Sequence, residues 1–179
     1  LTTMGQFLSP RLNRRTDGYG GDATARARLL REVMEDTLAE VDGKAAVACR
    51  IMIDDLSGPG GFGREEIEAV LALTGELPDL WDFVAGVWED DSVTSRFGEE
   101  GGQEVYLRGL KQLTTKPVVG VGRFTSPDLM ARMVREGVMD FIGAARPSIA
   151  DPFLPVKIEE GRYEDIREVL FDKELSRTF

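Results

Sequence analysis

The chain has 179 residues, 42% apolar and 30% charged, which is enough apolar material for the core of one domain or a large part of one. Lysine and arginine number 22 against 32 aspartates and glutamates, and the net charge of −10 excludes nucleic acid or an anionic membrane surface as a broad partner. With no histidine and with Cys49 as the single cysteine, the chain by itself excludes histidine-based triads, histidine-ligated metals, an internal disulfide and a cysteine-ligated cluster.

The first segment, "LTTMGQFLSPRLNRRTDGYGG", reads as loop, rich in Gly, Pro, Asn and Thr. Apolar residues at helical spacing then predict a helix over Ala25–Val41, stopped by Asp42-Gly43. "AAVACRIMI", residues 45–53, reads as a strand. The Gly-rich stretch "DDLSGPGGFG" leads to a second helix over Arg64–Thr74. "DLWDFVAG", residues 79–86, is a second strand, followed by the polar loop "VWEDDSVTSRFGEEGG". A helix over Gln103–Leu113 precedes the strand "PVVGV". Ser126-Pro127-Asp128 starts the next helix and Gly137 stops it. "VMDFIG" is the last strand, and "DPFLPVKIEEGRYEDIREVL" begins a final helical stretch.

Strict alternation of helix and strand predicts right-handed βαβ units and a parallel sheet. Four strands could complete a small doubly wound sheet, whereas a (β/α)8 barrel needs eight. No apolar run is long enough for a membrane span. No signal peptide is expected. A chain that begins with Leu1 reads as a fragment or a processed product, and cytoplasmic residence is the expectation.

Strand 45–53 has two unlike faces. Val47, Cys49, Ile51 and Ile53 would pack on helices, while Ala46, Ala48, Arg50 and Met52 face the other way. Arg50 in that setting holds either an anion or a neighbouring acid such as Asp54 or Asp55. "GVGRF" and "GAARPS" end the last two strands alike. Glycine lets a ligand approach the backbone, and arginine adds a permanent charge with fork geometry. The two strand ends are therefore candidates for one phosphate site, against a bland reading as two tight turns. Trp88 and the acids of "WEDDS" could wall a ligand or form a solvated loop.

The segment "QFLSPRLNRRTDGYGG" resembles the signature of the Old Yellow Enzyme-like NADH:flavin oxidoreductases. It departs from that pattern with Asp22 for a serine and Ala25 for an asparagine, and it keeps Arg26. "LPDLWDFVAG", "TSRF", "KPVVGVGRFTSPDLM" and "IGAARPSIADPFLPVKIEEGRYEDIR" resemble the trimethylamine/dimethylamine dehydrogenase branch, which includes dimethylglycine-type demethylases. The resemblance runs from about Thr2 to Arg167.

What it implies is an α/β chain forming the C-terminal half, strands 5–8, of a (β/α)8 TIM barrel. Residues 1–168 would be the partial FMN-binding barrel and 169–179 a divergent or truncated tail. Such a half-barrel, expressed alone, is expected to be poorly soluble, self-associated or unable to hold FMN tightly. By the same resemblance Arg50 lies near the flavin and favours its reduced form. Gly122, Arg123, Gly143, Ala144 and Arg146 hold the FMN phosphate. Trp88 belongs to an aromatic bowl over the flavin and Asp91 is the aspartate there, with Asp90 as a rival for Asp91. The branch carries a [4Fe–4S] cluster further on, which this chain does not ligate.

The implied function is FMN-dependent oxidative N-demethylation of a small methylated amine of the dimethylglycine or trimethylamine type, with a flavoprotein or NAD(P) as electron acceptor. Homo-oligomerisation stays open. The alternatives are an NAD(P)H-dependent reductase of 2-enoates or 2,4-dienoyl-CoA thioesters, and an inactive half-barrel fragment.

Overall fold

The computed structural model describes residues 2–86 and 98–167. Among these, four strands form one parallel sheet in the order β1-β2-β3-β4: Ala48–Asp54, Leu80–Ala85, Val118–Val121 and Phe141–Gly143. Helices α1 (Thr3–Leu8), α2 (Ala23–Val41), α3 (Arg64–Thr74), α4 (Glu104–Leu107), α5 (Pro127–Arg135), α6 (Ala145–Ala150) and α7 (Leu154–Glu159) complete the described elements, with two short 3-10 turns. The alternating, parallel α/β arrangement expected from the sequence is present. No described helix is long and apolar enough to cross a membrane.

The sheet has two unlike faces because the strands alternate. Ile51 and Ile53 of β1, Trp81, Phe83 and Ala85 of β2, and Val118 of β3 are buried under the helices. Leu30 and Met34 of α2, Ile67, Val70 and Leu71 of α3, and Met133 of α5 pack in the same core. The opposite face carries Arg50, Met52, Asp82, Val84, Val119, Val121 and Phe141, none of them fully buried. Phe141 is 54% exposed there. The split of β1 read from its sequence therefore holds, with Ile51 and Ile53 inward to the helices and Arg50 on the other side.

Several boundaries differ from expectation, each for a local reason. The opening segment contains α1, whose N-cap Thr2 accepts a hydrogen bond from the Gly5 N–H. β1 runs from Ala48 to Asp54, so Arg50 stands inside the strand and not at its end. The helix expected over Gln103–Leu113 breaks after Leu107, where Arg108 is extended and Gly109 is left-handed at φ 83°. Gln103 is wholly buried; its Oε1 accepts from the Ala85 N–H at 3.0 Å and its Nε2 donates to the Ala85 carbonyl at 3.2 Å. That amide clamps the end of β2. Ser126 caps α5 by backbone geometry without a side-chain bond, and Glu100 Oε1 instead accepts from the Thr125 and Ser126 N–H groups at 2.5 Å each. Gly137 stops α5 as expected, at φ 67°.

The opening segment is tied to α3 by Arg26. Its side chain is 8% exposed and forms an ion pair with Glu66 of α3. It also donates to the Leu8 carbonyl at 3.1 Å and to the Gly21 carbonyl. Removing one partner of a buried charged pair costs about 3–5 kcal/mol, because the other is left uncompensated. Arg26→Leu strands Glu66 and two carbonyls, so urea denaturation should show a stability loss of roughly 3 kcal/mol, whereas Arg31→Leu on the exposed side of α2 should cost well under half of that.

Candidate functional site

Parallel pairing puts the ends of β3 and β4 side by side, and the loops that leave them close around one cavity. Gly122 and Arg123 follow β3 directly; Gly143 is the last residue of β4, with Ala144 and then α6 behind it. These residues, with Arg146, Val84 and Arg50, line a cavity of about 120 Å³. All six residues proposed from sequence for the cofactor thus face one space. Trp88, Asp90 and Asp91 lie outside the described residues.

The cavity is basic in an acidic chain. Arg50, Arg123 and Arg146 bring three guanidinium groups to it, and no described lining residue is a carboxylate. Arg123 holds a left-handed backbone at φ 58°, a conformation that costs a non-glycine residue on the order of 1 kcal/mol. Its Nη1 donates to the Gly98 carbonyl at 2.7 Å, and the Gly101 N–H donates to the Gly122 carbonyl at 2.7 Å. The loop before α4 therefore braces the strand end from behind.

Two glycines of the lining have no room for a side chain. A Cβ on Gly143 would stand 2.7 Å from Val121 Cγ1 and 3.2 Å from Val119 Cγ1. A Cβ on Gly122 would meet Gly101 Cα and Phe124 Cζ at 3.3 Å. A phosphate fits this donor set, since arginine forks suit phosphate oxygens and glycine leaves the backbone reachable. At about 120 Å³ the space matches a phosphate group and not a whole flavin.

Arg50 is held by Asp82, not by Asp54 or Asp55. Arg50 and Asp82 are register partners on β1 and β2, and Nη1 donates to Oδ2 at 3.1 Å. Asp54 instead accepts from the Leu56 N–H at 2.7 Å. Asp55 is consumed by the Gly-rich loop, accepting from Ser57 N–H at 2.9 Å and Phe62 N–H at 3.0 Å. Burial pushes the Asp82 carboxyl above its ordinary value, against the opposing pull of Arg50. Burial, aided by the Asp82 charge, also pushes the Cys49 thiol up to about 11, which leaves it inert as a nucleophile near neutral pH. Asp82 went unnoticed in the sequence, although its place as the lone acid inside "LWDFVA" was a signal.

Behind Arg146, Asp151 fixes the corner between α6 and α7. It is almost fully buried, and it accepts from Lys157 Nζ at 2.6 Å, the Arg167 N–H at 3.0 Å and the Phe153 N–H at 3.1 Å.

Residues 3–165 match the NADH:flavin oxidoreductase / NADH oxidase family. The chain belongs to this family. It is 43% identical over 166 residues to the dimethylamine dehydrogenase of Hyphomicrobium sp. (strain x), covering 90% of this chain and 23% of that protein. Among solved structures, histamine dehydrogenase from Rhizobium sp. 4-9 is 56% identical with a TM-score of 0.85, covering 92% of this chain and 24% of that one. The 6-hydroxypseudooxynicotine amine oxidase from Pseudomonas geniculata N1 is 49% identical with a TM-score of 0.83, covering 94% and 25%. The chain thus spans about a quarter of the length of these relatives. Its parallel α/β fold is like that of the barrel enzymes of the family.

The Lys157 bond, then the Arg167 N–H, pulls the Asp151 carboxyl below its ordinary value. A carboxyl lowered on folding adds stability above its unfolded pKa of about 4, and that stability is lost as pH falls through the lower folded value. Asp151→Asn should therefore be less stable than the parent at pH 7 and show a smaller further loss on acidification to pH 3, as read by urea denaturation at the two pH values.

Proposed function

We propose that this chain is the C-terminal half, strands five to eight, of an FMN-binding (β/α)8 barrel in a longer oxidoreductase that acts on a small amine. One observation carries the reading: Arg50, Gly122, Arg123, Gly143, Ala144 and Arg146 line a single cavity fed by the ends of adjacent parallel strands. The half-barrel part is supported by the sheet itself. Among the described residues β1 and β4 each pair on one side only, and Arg50 and Phe141 stay exposed on the face turned from the helices. An apolar trough of about 530 Å³ runs beside β1, lined by Met4, Leu8, Leu30, Ile51 and Met52. Unpaired edges and apolar troughs are expensive to leave in water, and further strands of the same polypeptide would cover both.

In this reading Arg123 and Arg146 hold the phosphate dianion from two sides, and Gly122 and Gly143 let its oxygens reach the backbone. Arg50 keeps a positive charge on the inner face, where charge on the ring would change during turnover. When bound, FMN supplies a ring that accepts a hydride equivalent from the substrate. The substrate side belongs to Trp88, as a wall for the amine, and to Asp91 or Asp90, as the carboxylate facing it. Oxidation of a C–N bond to an iminium, followed by attack of water, releases an aldehyde. With a methylated amine of the dimethylamine or dimethylglycine type, that aldehyde is formaldehyde. The names of the amine-oxidising relatives favour this over an enoate reductase. A [4Fe–4S] cluster in the longer protein would take its cysteines from outside this chain.

The full-length protein should copurify with flavin, seen as absorbance near the blue edge of the visible. Each charge-assisted bond to the phosphate is worth about 1.5–3 kcal/mol, so Arg123→Ala and Arg146→Ala should each weaken FMN binding roughly 10- to 100-fold in a fluorescence titration. A full-length protein that neither carries nor takes up FMN would sink the reading. Anaerobic bleaching of the bound flavin by dimethylamine, dimethylglycine or histamine is the expected outcome for an amine substrate; bleaching only by NADH, with recovery on adding an enone, would move the assignment to a reductase.

A further inference from the structure

Asp82 is a half-buried acid that the stability of the fold does not explain. Its side chain is 23% exposed, against 61% for Arg50. Oδ2 accepts from Arg50, whereas Oδ1 is buried with no hydrogen-bond partner among the described residues. A carboxylate placed against a sheet carries a desolvation cost. A neutral side chain on β2 would pack at least as well. What the acid does achieve is geometric: its place is set by the β1–β2 register, and it fixes one end of the Arg50 guanidinium.

The geometry points to Asp82 as a positioning residue for the flavin site: it holds Arg50 over the inner face and offsets its charge. This rests on the reading of Arg50 as the flavin-facing arginine of an FMN barrel. The site next to the ring is then a nearly neutral pair rather than a bare cation. A bare cation would favour reduction of the ring, because reduction adds negative charge; the Asp82 carboxylate moderates that pull. The pair thereby sets the flavin potential at an intermediate value, with Asp82 and Arg50 pushing in opposite directions. Val84 and Met52, which flank the pair on the same face, contribute no competing charge.

The test is the flavin midpoint potential of the full-length holoprotein, measured by dye equilibration at pH 8 so that the carboxyl is ionised. Asp82→Asn keeps an oxygen to accept from Arg50 and removes only the charge. It should raise the potential, giving a several-fold higher ratio of reduced to oxidised flavin at a fixed poise. Arg50→Met should lower it. The double variant should fall near the wild type, since one neutral pair replaces another. Asp82→Ser serves the same purpose should Asp82→Asn not fold. A role limited to packing would change the melting temperature and leave the potential where it was. No shift in either Asp82 variant, or a shift in the same direction as Arg50→Met, overturns this inference while leaving the flavin assignment standing. A wild-type protein that binds no FMN overturns both.

Discussion

Parallel pairing of the four strands sets every strand's carboxyl end on the same side, and the basic cavity exists only because of it. Arg123 and Arg146 follow the adjacent strands β3 and β4, and Arg50 reaches the same space from β1, two strands beyond β3. Bringing three cations together in a chain of net charge −10 runs with the overall field, but locally they repel. The structure offsets this unevenly. Arg50 has a carboxylate, Arg123 has a carbonyl from the loop before α4, and the strained backbone at Arg123 adds a further cost. Strain of this kind persists where the surroundings enforce it, and the Gly101–Gly122 and Glu100–Thr125/Ser126 bonds do so here. A bound dianion is the simplest group that would repay the arrangement.

The same pairing makes the sheet one-sided. Trp81 and Phe83 show how fully one face is satisfied: both are wholly buried, and the Trp81 indole N–H donates to the Gly75 carbonyl at 2.9 Å. Position for position, Asp82 and Val84 on the other face are only partly buried. A sheet in a complete domain buries both faces or solvates one with polar side chains. This inner face does neither, since Met52, Val84, Val119 and Val121 are apolar yet only partly buried, and Phe141 is exposed. A surface built like a core wall but left open is what one half of a closed barrel presents. The exposed Ile149 and Phe153 beyond β4 extend the same deficit.

Much of this was legible in the chain. Strand and helix alternation, the two-faced β1, and the paired "GVGRF" and "GAARPS" ends all follow from period, turn chemistry and residue type. What escaped shares one property: it depends on contacts distant in sequence. Asp82 matters because of a residue 32 positions earlier. Gln103 clamps Ala85, 18 positions away. Glu100 takes over the capping that Ser126 alone seemed to provide, from 26 positions back. Local propensity has no access to such bonds. Small helices such as α1 and α6 escaped for the opposite reason, being too short to show a period.

The segment that most sharply marks the family is itself scaffold. Asn13 Nδ2 donates to both the Phe7 and Tyr19 carbonyls at 2.7 Å. Asp17 pairs with Arg15 and receives the Tyr19 N–H, and the Tyr19 hydroxyl donates to Glu32 at 2.9 Å. Arg26 then ties the loop to α3. None of these side chains lines the basic cavity. The departures from the family pattern can be judged on the same footing. Asp22 in place of serine still caps α2, accepting from the Ala25 N–H at 2.8 Å, and an acid there also suits the positive helix end. The substitution therefore alters how the scaffold is held without touching the site. A long shared motif thus testifies to how the opening loop is braced against α2 and α3, whereas the argument for chemistry rests on a handful of arginines and glycines at the strand ends.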